Sequence, residues 1–478
     1  MDKKLFDFAE QRPSQWDGVT VAVRSSFDGA FTRFMKNRAS VAAAAIIGLL
    51  FVFSIAAPLL SGYSVGFRDG YYRSMPPAFA RSIRLSGPQA VRDYYGAMGA
   101  VKAIKSQKDG YYQLSVDAYD KVGFLYVDLS REEFSALQDY QNTTDIQVCY
   151  PLPKNYATFY PAVKSSANLW YTLKDPDIYS TGESAYHDEQ GQPIFVPNYL
   201  TGEQDGSYRS LRLSQDPDNW VYGIQNQTGY RCRVLYTAYY RYQNGFSPHH
   251  LFGTNQHGQD ILVCLASGAR LSFLLSVSVS AINLLIGLCY GAIEGYYGGR
   301  TDLIMERIAD ILAAIPFIVV ATLFQLHLAG RVGAIPSLLF SFVLTGWIGI
   351  ASRVRTQFYR FKNAEYVLCA RTLGAKDSRI IYRHILPNAI GTIITSAVLL
   401  IPGVIFSESM LSYLGIVNLE AANLTSLGTM LSGGRAYLGS YPHILAFPAI
   451  FIALLEISFN LLGNGLRDAF NPLLEGNR

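Results

Sequence analysis

The sequence predicts an α-helical polytopic membrane protein of about six transmembrane helices, with a mixed α/β extracytoplasmic domain inserted between helices 1 and 2. Three observations lead there. Half of the 478 residues are hydrophobic and 16% are charged, which is membrane-like composition. The mean hydropathy is only +0.14, so the apolar spans must be diluted by a sizeable soluble portion. Six apolar runs each reach the roughly 20 residues that cross a bilayer core as a helix, allowing for tilt.

Residues 1–38 are polar, with Arg33, Lys36 and Arg38 directly before the first apolar run. The positive-inside tendency makes this end cytoplasmic. The run Val41 to Leu60, within a first span over 39–60, exceeds the ~7–15 apolar residues of a secretory signal and reads as a retained anchor. Because that span carries the chain outward, 61–248 is expected outside. This stretch holds most of the chain's 33 tyrosines and many β-branched residues, so it reads as folded. Val122 to Leu129 alternates as a strand does, and Ser130 with Glu133 forms a capping-box pattern before a helix through Tyr140. Ile146 to Tyr150 and Arg231 to Tyr242 are further strand candidates. Cys149 and Cys232 form a candidate disulfide in an oxidising compartment, with two buried thiols as the other reading.

Residues 249–478 hold the remaining spans, Leu271 to Ile293, Ile308 to Leu328, Gly333 to Ala351, Ala389 to Phe406 and Ile444 to Leu462. The loop 353–388 carries Arg353, Arg355, Arg360, Lys362, Arg371, Lys376, Arg379 and Arg383. So basic a loop belongs on the cytoplasmic side, and counting spans back from it also puts residue 1 inside.

Composition and motifs exclude several classes. A formal charge of +4 gives no argument for nucleic acid. Five cysteines without CxxC spacing provide neither a disulfide framework nor a zinc ribbon. His249, His250 and His257 lack a ligand spacing and read as surface histidines. No Gly-Lys-Ser/Thr follows a glycine-rich loop, and no His-Glu-x-x-His or Gly-x-Ser-x-Gly occurs, so neither an ATP site nor a catalytic site is predicted.

The most informative stretch is Asn363 to Asn388. Asn363 suits a helix N-cap, Glu365 the first turn and Arg371 the last, where the dipole favours an anion and a cation respectively. Gly374 falls where a left-handed residue ends a helix. Asp377 restarts a helix, and Pro387 stands where the next span begins, a position that tolerates a missing N–H. Val367, Ala370 and Leu373 form a small apolar strip that invites close approach by another chain, an ordinary cytosolic loop with two amphipathic turns being the other reading.

Ala370, Gly374 and Leu386-Pro387 at these spacings resemble the cytoplasmic loop motif of permease subunits of ATP-binding-cassette importers. Val367-Leu-Cys-Ala-Arg-Thr-Leu-Gly-Ala-Lys-Asp with Arg383-His-Ile-Leu-Pro-Asn is similar to the peptide and nickel branch, of the oligopeptide and dipeptide permease C type. Leu251-Phe-Gly-Thr-Asn-Gln-His-Gly-Gln-Asp260 resembles the segment that introduces the permease core there, with Asn255 and Gln259 where an Asp and an Arg are usual. Gly295-Tyr-Tyr-Gly-Gly299, read as a cytoplasmic turn, also resembles that branch. The resemblance covers 31–60 and 249–476 and leaves the insert outside.

It implies a type I importer permease fold in the cytoplasmic membrane of a prokaryote, with both termini cytoplasmic. It also implies a peptide substrate, membrane lipid around the spans, a second related permease, two ATP-binding subunits that hold ATP and Mg, and an extracytoplasmic substrate-binding protein. The implied coupling residues are Glu365, Val367, Ala370, Arg371, Leu373, Gly374, Ala375, Asp377, Leu386 and Pro387. Nickel or another small solute is the alternative cargo. A membrane-anchored receptor or enzyme acting through its external domain is the alternative of another class.

Two acids fall inside apolar spans, where ionisable groups are costly. Glu408, in Ser407-Glu-Ser-Met-Leu-Ser-Tyr-Leu-Gly415, matches a family acid and reads as a fold-fixing group. Glu456, with Asn460 four residues on, either lines a pathway or pairs with a neighbouring helix or subunit. Pro316, Pro402 and Pro448 interrupt apolar spans and are candidate hinges.

Overall fold

The computed structural model describes residues 26–86, 101–108, 111–144, 146, 148–150, 152–153, 162–163, 169–173, 209–213, 220–221, 223–225, 227–417, 419 and 424–470. Residues 1–25, expected to be cytoplasmic, and most of 151–226, expected in the external domain, lie outside them. The chain divides into two units, one of Met1–Phe53, Arg270–Leu424 and Phe451–Arg478, the other of Ser54–Ala269 and Thr425–Ile450.

Among the described residues five helices are long and apolar enough to cross a membrane: Arg38–Leu60, Ile261–Tyr297, Ala334–Phe361, Asp377–Tyr413 and His443–Ala469. The sixth expected span, Ile308 to Leu328, is not one straight helix. It is the pair Gly299–Ala313 and Phe317–His327, bent by 69°. Pro316 caps the second helix, and the missing N–H together with the ring's clash against the preceding turn explains the break. Pro402 and Pro448, by contrast, lie within helices Leu400–Tyr413 and His443–Ala469 without ending them. The turn expected at Gly295 is also shorter, because the helix runs on to Tyr297 and only Gly298 and Gly299 take positive φ.

In the first unit the Ile261–Tyr297 helix meets the Ile348–Phe361 helix through Gly287, Gly291 and Gly295, spaced four apart on one face. A Cβ at Gly287 would stand 2.8 Å from the Ile350 Cβ, and one at Gly295 would stand 2.7 Å from the Phe358 Cβ. Only glycine admits so close a backbone approach, as at small-residue crossings in lipid. The crossing fixes the helix that feeds the basic loop.

The second unit carries strands and short helices. Strands Phe124–Ser130, Gly229–Leu235, Gly223–Gln225 and Ala162–Val163 pair antiparallel in that order, and Cys149–Tyr150 also pairs with Gly229–Leu235. Ser82–Ser86, Tyr111–Asp117 and Val101–Lys108 form a second antiparallel sheet. The expected capping box is present: Glu133 accepts from the Ser130 N–H at 2.8 Å, and Ser130 Oγ accepts from the Glu133 N–H at 3.2 Å. The strand expected over Arg231 to Tyr242 instead becomes helix Tyr236–Asn244 after Leu235. Tyr236, Tyr239 and Tyr240 recur at helical spacing and are buried, so one helical face, rather than alternate residues, enters the core.

Of the histidines read as surface groups, His249 and His257 are exposed while His250 is fully buried. Its Nδ1 lies 2.8 Å from Asp260 Oδ2, and its ring stacks on Tyr63 at 4.3 Å between centroids. At Asn255 and Gln259, where the resemblance leads one to expect an Asp and an Arg, the neutral pair is connected: Asn255 Nδ2 donates to Gln259 Oε1 at 3.0 Å.

Candidate functional site

The basic loop is a short helix, Glu365–Thr372, held on a buried apolar seat. Val367, Phe358, Ile380, Ile385 and Ala389 are at 0% exposure and belong to one cluster with Tyr296, Ile350 and Val354. The helix closes with a full Schellman motif. Gly374 has φ +78°, its N–H donates to Arg371 O at 3.0 Å, and the Ala375 N–H donates to Ala370 O at 3.0 Å. Two carbonyls of the last turn are thereby satisfied.

Two expectations about this helix change. Asn363 does not cap it: Ala364 is the N-cap, with no side-chain cap bond. The Ala364 N–H is already bonded to Phe361 O, so the chain enters the helix one residue later than expected. The apolar strip also divides. Val367 and Ala370 point inward at 0% and 9% exposure, while Leu373 stands out at 87%. A three-turn strip would need a continuous helix, and the Schellman turn throws Leu373 to the opposite side. The outward face is instead Tyr366 at 41%, Leu368 at 44% and Leu373, beside the exposed Glu365, Cys369 and Arg371.

Beyond the turn, Asp377 opens a helical segment whose residues Ile380–Ile385 widen to a π-helix before Leu386–Val398. Pro387 explains the widening, since its ring excludes the carbonyl four residues back from an α-helical bond. Leu386 packs on the apolar seat with Ala375, whereas Pro387 is exposed.

Polar contacts tie the loop to the end of the Ile261–Tyr297 helix. Tyr296 Oη donates to Asp377 Oδ1 at 2.6 Å, Lys362 Nζ donates to Gly295 O at 3.1 Å, and the Arg371 guanidinium lies 5.8 Å from the Tyr296 ring centre. Arg355, which the sequence reading counted only as one of many basic residues, gathers three acids. It donates to both oxygens of Asp302 and of Glu306 and lies 3.5 Å from Glu294, whose side chain is 4% exposed. The acids sit far from Arg355 in sequence, so only their charge against the preceding glycine turn hinted at the cluster.

The intramembrane acids differ from each other. Glu408 is 1% exposed and accepts from Ser412 at 3.0 Å and Ser272 at 3.4 Å, a geometry that fixes helices. Glu456 Oε1 is buried without a hydrogen-bond partner among the described residues. Asn460 donates to the Glu456 backbone carbonyl at 2.9 Å and not to its carboxylate. Cys149 and Cys232 are fully buried and unbridged, with their side chains hydrogen-bonded to each other. Among the described residues no cluster of His, Cys, Asp and Glu has a metal-holding arrangement.

Two family models match. Residues 283–476 match the inner membrane component of binding-protein-dependent transport systems, and 25–77 match the N-terminal transmembrane domain of oligopeptide transport permease C. The chain is 46% identical over 228 residues to the oligopeptide transport system permease protein OppC of Bacillus subtilis, covering 48% of this chain and 73% of that one. It is 41% identical over 229 residues to the dipeptide transport system permease protein DppC of the same organism, covering 48% and 70%. OppC of Escherichia coli is 36% identical over 226 residues, covering 47% and 72%.

Proposed function

Because the chain belongs to the family of oligopeptide and dipeptide ABC-importer permeases, C type, we propose that Glu365–Thr372 and the turn at Gly374 are its coupling element. The chain is a multi-pass membrane protein and the permease subunit of a peptide importer, without an ATPase site of its own. An importer of this family works with a partner permease, ATPase subunits and a binding protein.

The observation that carries the coupling reading is Leu373. A side chain 87% exposed, at the C-cap of a helix whose inner face is seated through Val367 and Ala370, is an apolar knob at the surface. With the exposed Tyr366, Leu368 and Arg371 beside it, it forms a patch whose tyrosine and arginine are residue types enriched at interfaces. The remaining assignments rest on the family and on the charge of the loop. The basic loop and both termini lie on the cytoplasmic side of a prokaryotic membrane, two ATPase subunits bind ATP and Mg below, and a second, related permease completes the pathway. Closure of the ATPases moves Glu365–Thr372, and the apolar seat passes that motion to the spans.

Leu373→Asp tests this. The variant should insert and fold as wild type does but lose its ATPase subunits on co-purification, together with peptide-stimulated hydrolysis. Undiminished co-purification would remove Leu373 from the interface. In a Cys289→Ser background, the exposed Cys369 should also lose maleimide labelling when the ATPases bind.

The stretch 61–248 is proposed as an extracytoplasmic α/β domain that guides the binding protein, since tyrosine is favoured at interfaces. A photo-crosslinker in place of Tyr126, which is 50% exposed, should capture the loaded binding protein during uptake, and persistent absence of that product ends the reading. Glu456 is proposed to meet a group outside this chain, in the pathway or on the partner permease. Unchanged uptake by Glu456→Gln would return it to a local role.

A further inference from the structure

We propose that the cleft walled by Arg353, Arg360, Thr392 and Arg467 holds the headgroup of an anionic phospholipid. The cleft measures about 370 Å³ and is also lined by Thr395 and Phe470. Among the described residues none of the three arginines has a carboxylate partner, although the neighbouring Arg355 has three. The three guanidinium groups, exposed and lining one cavity, present a cationic site, and guanidinium forks match phosphate oxygens.

The hydroxyls refine the headgroup. Thr395 and Ser396 donate to the carbonyls of Gly391 and Thr392 at 2.9 Å each, so toward the cleft they offer lone pairs. They suit a headgroup that itself carries hydroxyls, as phosphatidylglycerol does.

A second observation separates lipid from a small anion. Phe470 also walls an adjoining cleft of about 280 Å³, lined otherwise by Ala30, Phe31, Phe34, Leu466 and Ala469. Every one of those residues is apolar. A charged cleft opening beside an apolar one fits an amphipathic ligand, with the phosphate in the first and acyl carbon in the second. The helix Ser26–Lys36 that supplies Phe31 precedes the first span and exposes Phe31 at 67% and Met35 at 52%, the pattern of a helix lying in the membrane interface. Basic pockets between spans at that depth are where acidic headgroups bind. The inference needs only the membrane setting, so its failure leaves the coupling reading untouched.

The test uses the intact importer in nanodiscs of phosphatidylcholine with phosphatidylglycerol added, followed by native mass spectrometry of retained lipid. A factor of about five for each basic side chain near the surface predicts at least ~10-fold retention of phosphatidylglycerol over phosphatidylcholine. The triple variant Arg353→Gln, Arg360→Gln, Arg467→Gln should lose that preference, and the three Arg→Lys changes should restore part of it. If the triple variant fails to fold, Phe31→Ser, on an exposed ring, should weaken retention of the long-chain lipid while leaving glycerol phosphate protection unchanged. Equal retention in wild type and the Gln variant overturns the proposal. So does displacement of bound lipid by glycerol phosphate at equal concentration, which would make the apolar cleft irrelevant. Occupancy by peptides with a free C-terminal carboxylate but not by their amides would assign the arginines to the pathway and overturn it equally.

Discussion

The Tyr296 hydroxyl donates to the Asp377 carboxylate at 2.6 Å, joining the last turn of the Ile261–Tyr297 helix to the first residue of the helical segment that follows the Gly374 turn. With Val367 and Ile380 buried beneath it, this bond ties the segment that follows the short helix to the span end. For the coupling role proposed above, a firm seat of this kind would pass a push on rather than dissipate it.

Tyr296→Phe removes that donor and keeps the ring. A hydrogen bond to a charged group contributes about 2 kcal/mol, and the contact here is partly exposed, so about 1 kcal/mol of thermal stability is expected to go. Peptide-stimulated ATP hydrolysis should fall more than basal hydrolysis. Asp377→Asn should give the same split, and the two changes together should add little beyond either one, because they remove the same bond.

Gly374→Ala should destabilise the loop by about 1 kcal/mol, since its left-handed backbone is disfavoured for L side chains. No atom lies within 4 Å of a Cβ built there, so the penalty is conformational and Gly374→Asn should recover much of it. If Ala and Asn behaved alike in thermal unfolding, the left-handed strain would not be the cause.

Arg355→Gln leaves Glu294, with 4% of its side chain exposed, facing Asp302 and Glu306 without their shared cation. Breaking one side of a buried ion pair costs about 3 kcal/mol, so expression and thermal midpoint should drop together. Adding Glu294→Gln should recover a measurable part. No recovery would mean that Arg355 acts by packing on Tyr359 rather than by charge.

Contact with Cys232, and then burial, raises the Cys149 thiol well above its ordinary pKa. The folded value lies above the unfolded one, so the thiol's contribution to stability is complete below the unfolded thiol range and is lost as pH rises from there toward the folded value. Reduced protein should therefore lose thermal stability through that alkaline window, and Cys149→Ser should flatten the decline. Iodoacetamide should reach Cys149 only on unfolding. Non-reducing peptide mapping of protein from an oxidising compartment decides separately between the paired thiols and a Cys149–Cys232 disulfide.

The sequence located five of the six expected apolar spans as single helices, the basic loop and the glycine turn, because each is written in local chemistry: apolar length against bilayer thickness, charge against a membrane face, and a missing side chain against backbone sterics. It also supplied the Ser130–Glu133 capping box, a bond between near neighbours. It missed what depends on residues distant in the chain. Whether Val367 or Leu373 faces outward was decided by the seat built from Tyr296, Ile350 and Ile385. The partners of Arg355 and the burial of His250 against Asp260 were likewise set by helices and loops brought together in space. The gathering of Arg353, Arg360 and Arg467 around one cleft has the same origin, since the residues lie on elements separated by about a hundred positions. Periodicity tells a helix which side is apolar, but only the tertiary structure chooses which apolar residues are covered, because that choice belongs to the surface they meet.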